Sequence, residues 1–226
     1  MDLTITEKYA LCMLKEKEKF YESELTPYLL TSMILEMMLD GSLEVVDKNI
    51  KLIDKIPKDN YNIQLYYAIK ERKFAGILKK ADISFRDIIT LVCYSFSNKT
   101  MKSIIEPLKE KMIEDQLIHV EMKKALFGKK EIIVVNDDKF NCVVEEIRNE
   151  ILEHDDLSDD IILLSLLLNA TKFLKNIFTK YEKEKLDERL KEIQKSEISS
   201  KVKIAQEVID DMSVVMAAVL FTTMNT

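Results

Sequence analysis

Apolar residues recur at the three- and four-residue spacing of amphipathic helices along most of this chain. The first helix is predicted after Thr4, because Thr4 and Glu7 form a capping-box pattern in which each side chain bonds the other residue's amide. The next helix spans 24–40, is apolar around most of its turn, and precedes Gly41 at the expected left-handed C-cap. Further helices are predicted over 61–73, 84–96 with Ser84 as N-cap, 100–116, 138–153, from 161 onward, 180–196 as an exposed helix, and 201–223.

Two segments have the pattern of β-hairpins. Residues 42–54 contain two strand-like runs around Lys48-Asn49, which predicts a turn in which Asn49 adopts a positive φ. A second hairpin is predicted over 117–136. Each hairpin follows a helix, as in one half of a winged-helix unit, although no sequence repeat accompanies the two copies. The predicted fold class is mainly α: a single globular helical domain over residues 1–226 with two β-hairpins in winged-helix-like units.

The turn of the second hairpin places two apolar residues, Leu126 and Phe127, between two pairs of lysines. The first pair is Lys123 and Lys124, and the second is Lys129 and Lys130. Each lysine near an anionic bilayer contributes about 1 kcal/mol, and burying each apolar side chain adds roughly 1.5–3 kcal/mol. Ordering the turn subtracts from this sum, which predicts weak and reversible contact with an anionic membrane surface. The alternative is that the same residues pack against a neighbouring subunit or lie in water.

Composition narrows the fold class and the partners. Gly and Pro number three each, too few for the many tight turns of a β-sandwich, and 47% hydrophobic content is enough for a sizeable core. The formal net charge of −6 makes the chain a poor general binder of polyanions, so an anionic partner must meet a local basic patch. Nucleic-acid binding is not expected, because the helix before the second hairpin carries acids that DNA would repel: Glu106, Glu110, Glu114 and Asp115.

The sequence contains no set of residues that predicts catalysis, a cofactor or a metal site. Glycine-rich phosphate loops and nucleophile elbows are missing, so we expect no enzymatic activity. The three cysteines, Cys12, Cys93 and Cys142, are far apart in apolar surroundings, and each is expected to be a small buried side chain in a reducing compartment. His119 and His154 are expected at the surface.

No segment predicts insertion across a membrane or export. The N-terminus lacks the basic and apolar regions of a signal peptide. The longest apolar runs, Ile161-Ile-Leu-Leu-Ser-Leu-Leu-Leu and Val214-Val-Met-Ala-Ala-Val-Leu-Phe, fall short of the roughly 20 residues that span a bilayer. We interpret both as buried helices of a cytoplasmic protein.

Several motifs, in order, resemble the Golgi phosphoprotein 3 family (the GPP34 domain). Leu3-Thr-Ile-Thr-Glu-Lys-Tyr-Ala-Leu-Cys-Met-Leu is similar to its opening helix, and Leu30-Thr-Ser-Met-Ile-Leu-Glu-Met-Met-Leu-Asp-Gly-Ser-Leu-Glu-Val to its apolar helix with a central Glu. Leu108–Ile118 resembles its Leu-x-x-x-Leu-Val-x-x-Gly-x-Leu segment, which also precedes a hairpin. The apolar helix from Ile161 and the last 25 residues resemble its closing helices, so the resemblance covers nearly the whole chain.

The resemblance implies a helical peripheral membrane protein without catalytic activity. Eukaryotic members bind phosphatidylinositol 4-phosphate and the cytosolic tails of Golgi glycosyltransferases. Their headgroup pocket uses a Trp and three Arg, and the positions here are Tyr21, Leu30, Lys102 and Ile105. Tyr21 and Lys102 carry over as headgroup-binding residues, whereas Leu30 and Ile105 offer a phosphate nothing, so specific binding of that phosphoinositide is not expected. The composition, rich in Lys and poor in Gly, is typical of a low-GC bacterium.

These observations predict a non-enzymatic peripheral membrane or adaptor protein, cytoplasmic and on the inner face of a membrane. It would contact anionic lipid through the turn at 123–130 and bind protein clients. The alternative is a soluble protein–protein interaction module that self-associates through the same hairpin.

Overall fold

The chain forms a series of helices interrupted by two small antiparallel sheets. The computed structural model describes residues 2–21, 25–47, 49–71, 83–84, 87–88, 98–125, 128–154, 157–195 and 200–223. In chain order the elements are α1 (Ile5–Lys17), α2 (Thr26–Asp40), β1 (Leu43–Val46), β2 (Asn49–Leu52), α3 (Asn60–Lys70), β3 (Ile83–Ser84), α4 (Asn98–Glu114), β4 (Ile118–Ala125), β5 (Gly128–Val135), α5 (Asp137–Glu153), α6 (Asp159–Ala170), α7 (Leu174–Ile177), α8 (Glu182–Lys195) and α9 (Ser200–Thr223). The predicted mainly α fold with two hairpins is confirmed.

Helix α1 begins with the predicted capping box. The Glu7 amide donates to Thr4 Oγ1 over 3.2 Å, and the Thr4 amide donates to Glu7 Oε2 over 3.0 Å. Residues from Ile5 to Leu14 are all buried, because α1 packs against α2, α5, α6 and strand β5. This helix is therefore the centre of the core, and the other elements are positioned against it.

Helices α2 and α6 are apolar around most of their circumference and fill the core beside α1. Helix α9 packs on both of them. The predicted burial is confirmed for the apolar run from Ile161. It is wrong for Val214, which is 59% exposed, and the side chains at 215–221 are not described. Helix α2 ends as predicted at Gly41, whose φ of 76° lies in the left-handed region.

Replacing Gly41 with alanine tests this helix end. An added Cβ would meet only Lys55 Nζ at 3.8 Å, so crowding is absent and the strain comes from the left-handed backbone alone. We expect a loss of about 1 kcal/mol in the free energy of unfolding and a fall of roughly 2–4 °C in Tm. Thermal unfolding by circular dichroism measures it, and an unchanged midpoint would contradict the left-handed cap.

The first sheet corrects one sequence prediction. Strands β1 and β2 pair with Val46 opposite Asn49, so Asn49 lies in the strand and not in the turn. The positive φ belongs to Asp47, at 49°, and not to Asn49 as predicted. An aspartate tolerates the left-handed region for the same reason as an asparagine, because its short side chain bonds nearby backbone. Strand β3 adds to β2 and gives the order β1-β2-β3.

Ser84 makes the hydrogen bond expected of an N-cap. The Asp87 amide donates to Ser84 Oγ over 3.1 Å, and the Ser84 hydroxyl donates to Asp87 Oδ2 over 2.8 Å. The remainder of the helix predicted over 84–96 lies outside the described residues, apart from Asp87 and Ile88. Helix α3 ends at Lys70, within the predicted span of 61–73, of which residues 72 and 73 are likewise not described.

Two buried charges at the start of α1 hold α4 and α5 in place. Glu7, only 1% exposed, pairs with Lys111 of α4 at 2.7 Å, and the buried Lys8 pairs with Glu146 of α5 at 2.5 Å. Burial by itself lowers the pKa of Lys111, but the hydrogen bonds to Glu7 and Asp115 outweigh it and raise that pKa above its ordinary value. Since α4 and α5 flank the second hairpin, these pairs also fix where the hairpin begins and ends.

Glu36, the central acid of the apolar helix α2, joins three helices. Its carboxylate accepts hydrogen bonds from the Thr6 amide of α1 (3.2 Å) and from the Tyr61 hydroxyl (3.0 Å) and Asn62 Nδ2 (2.9 Å) of α3. Burial raises the pKa of Glu36, and these hydrogen bonds offset part of the rise. The acid is therefore satisfied by neighbouring helices and has a structural role.

Helix α8, predicted as exposed, is charged on one side and packed on the other. Leu186 and Leu190 are buried. Arg189 Nε donates to the Ile151 carbonyl over 3.2 Å, and Arg148 of α5 pairs with Glu182 at the start of α8. The two leucines are four residues apart and so lie on one face of the helix. The many charged residues around them led to the prediction of a fully exposed helix.

Candidate functional site

The second hairpin is built by capping interactions at its base. Helix α4 ends at Glu114, Gln116 then takes φ 56°, and the Leu117 amide donates to the Met112 carbonyl over 2.9 Å. Gln116 stands where the Leu108–Ile118 resemblance has its glycine, which explains the left-handed backbone. Asn136 closes the other side, since its Nδ2 donates to the Gln116 carbonyl over 3.1 Å and its amide to the Leu117 carbonyl over 2.9 Å.

One half of the hairpin is buried and the other half projects. Near the base, Ile118, Ile133 and Val135 belong to the core. The Ile133 amide donates to the Glu18 carbonyl over 3.0 Å and ties β5 to the end of α1. Farther out, Met122 is 58% exposed. Residues 121–124 and 129–131 are exposed, so the outer half projects from the helical core, with an ion pair between Glu131 and Lys109 of α4 at its inner end.

The four predicted lysines of the turn, here called the tip lysines, lie on the projecting half and are all exposed. Strand register places Lys123 opposite Lys130 and Lys124 opposite Lys129. Because neighbouring residues of a strand point to opposite faces, each face of the hairpin carries one lysine pair. Like charges directly opposite each other destabilise a hairpin, so this arrangement costs stability in the isolated protein. Leu126 and Phe127, predicted to lie between the pairs, are outside the described residues.

A cleft of about 190 Å³, here called the Tyr21 cleft, lies at the flank of the hairpin. Its walls come from the segment after α1, from α4 and from β5, and its lining residues are Glu18, Lys19, Phe20, Tyr21, Lys109, Glu131 and Ile133. Lys109 pairs with Glu131 across the cleft, and the Tyr21 hydroxyl donates to Glu106 Oε1 over 3.1 Å. Burial, followed by the charge of Glu106 and this hydrogen bond, raises the pKa of Tyr21 above its ordinary value.

The headgroup-binding positions suggested by resemblance fall in different environments. Tyr21 lines the cleft and is 42% exposed. Lys102 is exposed on α4, one turn before the Glu106 that bonds Tyr21. Leu30 and Ile105 are fully buried in the core. The structure therefore brings Tyr21 and α4 together but leaves two of the four positions without access to a ligand.

The sequence did not single out Lys109 and Glu131 as site residues. They are 22 positions apart and lie on a helix and a strand, so only the packing of the hairpin against α4 brings them together. Glu106 was noted only as one of the acids that would repel DNA. Its hydrogen bond to Tyr21 spans 85 positions and has no signal in a single sequence.

Candidate catalytic and metal residues are scattered. Within the described ranges, no three His, Cys, Asp or Glu side chains are close enough to hold a metal ion. His119 and His154 are exposed as predicted, and Cys12 is buried as predicted. Cys142 is exposed, so its predicted burial is wrong, because it lies on the solvent side of α5 next to the buried Val143. Cys93 is not among the described residues.

The geometry is that of a helical protein that presents a basic β-hairpin next to a small cleft. The chain matches the model of the family Golgi phosphoprotein 3 (GPP34) over residues 6–212, and it therefore belongs to this family. The predicted family is thus confirmed. No curated protein matches the chain in sequence. Among the helices that the structure describes, none is long and apolar enough to cross a membrane.

Proposed function

We propose that this protein is a non-enzymatic peripheral membrane or adaptor protein that contacts anionic lipid through the tip of its second hairpin. The single observation that carries the proposal is the register that places the tip lysines opposite one another in two pairs. An anionic surface offsets the repulsion within each pair, and each lysine contributes about 1 kcal/mol to the free energy of binding. The protein would act from the cytoplasmic side and recruit protein clients.

The charge of the rest of the chain supports a contact restricted to the tip. Without the four tip lysines the formal charge of −6 would be −10. The remaining surface would on balance be repelled by an anionic bilayer, and this repulsion is screened beyond about 8 Å at physiological ionic strength. A projecting hairpin that keeps the acidic body away from the bilayer therefore has an electrostatic advantage.

Replacing Leu126 and Phe127 with aspartate together tests the apolar part of the contact. We expect binding to vesicles of anionic lipid to fall at least about tenfold, because each residue loses roughly 1.5–3 kcal/mol of burial and gains a charge repelled by the surface. Vesicle co-sedimentation measures the binding. The matched control is Val46→Asp, which adds a charge at an exposed apolar residue of the other hairpin and should bind like the wild type.

Two outcomes would contradict this proposal. Unchanged co-sedimentation of the double variant would mean that the tip does not enter the membrane interface. A wild-type protein that binds no vesicle, together with a double variant of lower mass in light scattering, would favour the alternative in which the hairpin joins copies of the chain.

A further inference from the structure

The Tyr21 cleft has a charge pattern of its own. Glu18 and Glu131 line it together with Lys19 and Lys109, and a third carboxylate, that of Glu106, accepts the hydrogen bond of the Tyr21 hydroxyl. Lys109 is largely buried and paired with Glu131, whose side chain is 49% exposed. A cleft with this excess of carboxylates repels a ligand that carries several negative charges, so a phosphoinositide with an extra phosphate is a poor fit.

The same residues suit an organic cation. The Tyr21 ring is partly exposed and attracts a cation over its face, and Glu106 lies at the hydroxyl end of that ring. Glu131 is also near enough for its charge to raise the pKa of Tyr21. An ammonium group in the cleft would therefore meet an aromatic face and two carboxylates, the combination that favours alkylammonium ions.

Lys109 gives the cleft a second and opposite preference. Its ammonium group lies on the α4 side of the cleft and can donate hydrogen bonds to the oxygens of a phosphate. A single phosphate at Lys109 and an ammonium group at Tyr21 together match a zwitterion. The volume of about 190 Å³ admits a small headgroup and is below the about 300–1,000 Å³ of sites for drug-sized ligands.

The position of the cleft on the hairpin brings it within reach of lipid headgroups. Glu131 is three residues along β5 from Gly128, which is about 10 Å of strand. The polar zone of one leaflet is roughly 5–8 Å thick. When the turn of the hairpin reaches the boundary of the acyl chains, the cleft is therefore next to the headgroup layer.

We propose that the Tyr21 cleft binds the zwitterionic headgroup of a phospholipid, with its ammonium group over Tyr21 between Glu106 and Glu131 and its phosphate at Lys109. This inference rests on the proposed membrane contact, which brings the cleft to the headgroups. The tip supplies attraction to any anionic surface, and the cleft adds selectivity for a lipid that carries an organic ammonium.

Vesicles test the selectivity at constant surface charge. One set contains phosphatidylglycerol with phosphatidylethanolamine, and the matched set replaces the ethanolamine lipid with a neutral glycolipid of the same acyl chains. We expect the wild type to bind the ethanolamine vesicles about five- to tenfold more tightly, the effect of one cation–π contact with an adjacent charge. Equal binding to both sets would overturn the proposal.

A matched pair of variants on α4 assigns the effect to the cleft. Glu106→Gln removes the carboxylate that bonds Tyr21, and Glu110→Gln makes the same change of charge one turn along the helix, where the side chain is exposed. We expect Glu106→Gln to lose the preference for ethanolamine lipid while its binding to the glycolipid vesicles is kept. Glu110→Gln should keep both. Loss of preference in both variants would overturn the cleft assignment.

A soluble probe separates this proposal from the membrane contact itself. Glycerophosphoethanolamine is titrated into uniformly labelled protein, and nuclear magnetic resonance follows the shifts of Tyr21 and its neighbours. Saturable shifts that Glu106→Gln abolishes support the cleft even if the wild type binds no vesicle, in which case only the membrane contact fails. If ethylammonium binds as tightly as glycerophosphoethanolamine, the phosphate contributes nothing and Lys109 has no role in binding. That result would overturn the lipid assignment, and the ligand of the cleft would instead be a basic side chain of a protein.

Discussion

Replacing all four tip lysines with glutamine will reduce binding to anionic vesicles on the order of a thousandfold without lowering the thermal stability of the protein. The four charges contribute about 4 kcal/mol near an anionic surface, which corresponds to that factor. In the free protein the same substitution removes two like-charge cross-strand pairs, each worth roughly 0.2–1 kcal/mol. The variant should therefore unfold at the same temperature as the wild type or slightly above it.

A second quadruple variant controls for net charge. Lys51, Lys58, Lys180 and Lys191 are exposed and lie outside the hairpin, and their replacement by glutamine gives the same formal charge. Flotation with vesicles of increasing phosphatidylglycerol content should separate the two variants clearly. If both lose binding to the same extent, the attraction belongs to overall charge and the tip has no special role.

Replacing Lys111 with methionine is expected to cause the largest loss of stability. It leaves the Glu7 carboxylate, 1% exposed, without its cation, and removing one partner of a buried pair costs about 3 kcal/mol. For a chain of this length the loss lowers Tm by roughly 6–12 °C. Differential scanning calorimetry at neutral pH measures the change.

The double variant Glu7→Gln with Lys111→Met tests the cause of that loss. In the double variant, the loss in the free energy of unfolding should be about half of that in Lys111→Met. The packing of the lysine stem is still missing, but no buried carboxylate is left without a cation. A double variant less stable than Lys111→Met alone would mean that Glu7 acts through its capping bond to Thr4 rather than through its charge.

The second hairpin shows which features of the fold can be predicted from local sequence patterns. Its two strands and the preceding helix were predicted within a few residues, because alternation and helical spacing are local signals. The predicted lysine pairs also lie at its projecting end. The first hairpin shows the limit, since the choice between Asp47 and Asn49 for the left-handed residue depends on a register that differs by one position.

The cleft illustrates what a single sequence could not supply. Tyr21 was identified by resemblance, yet its partners Glu106, Lys109 and Glu131 come from a helix and a strand more than 80 positions away. Two of the aligned headgroup positions, Leu30 and Ile105, are core residues. Burial of Cys12 and exposure of Cys142 likewise follow from which side of a helix faces the core, and both cysteines have similar apolar neighbours in sequence.

The sequence by itself determined the helical fold, the family and the basic turn of the hairpin, because periodicity, caps and charge runs act between residues close along the chain. The tertiary structure alone decided the character of the cleft beside that turn. Packing of β5 and α4 against the end of α1 placed Glu131 and Lys109 in the cleft with Tyr21 and brought Glu106 to the Tyr21 hydroxyl. The charge that a ligand meets there depends on distances between distant residues, which only the folded chain sets.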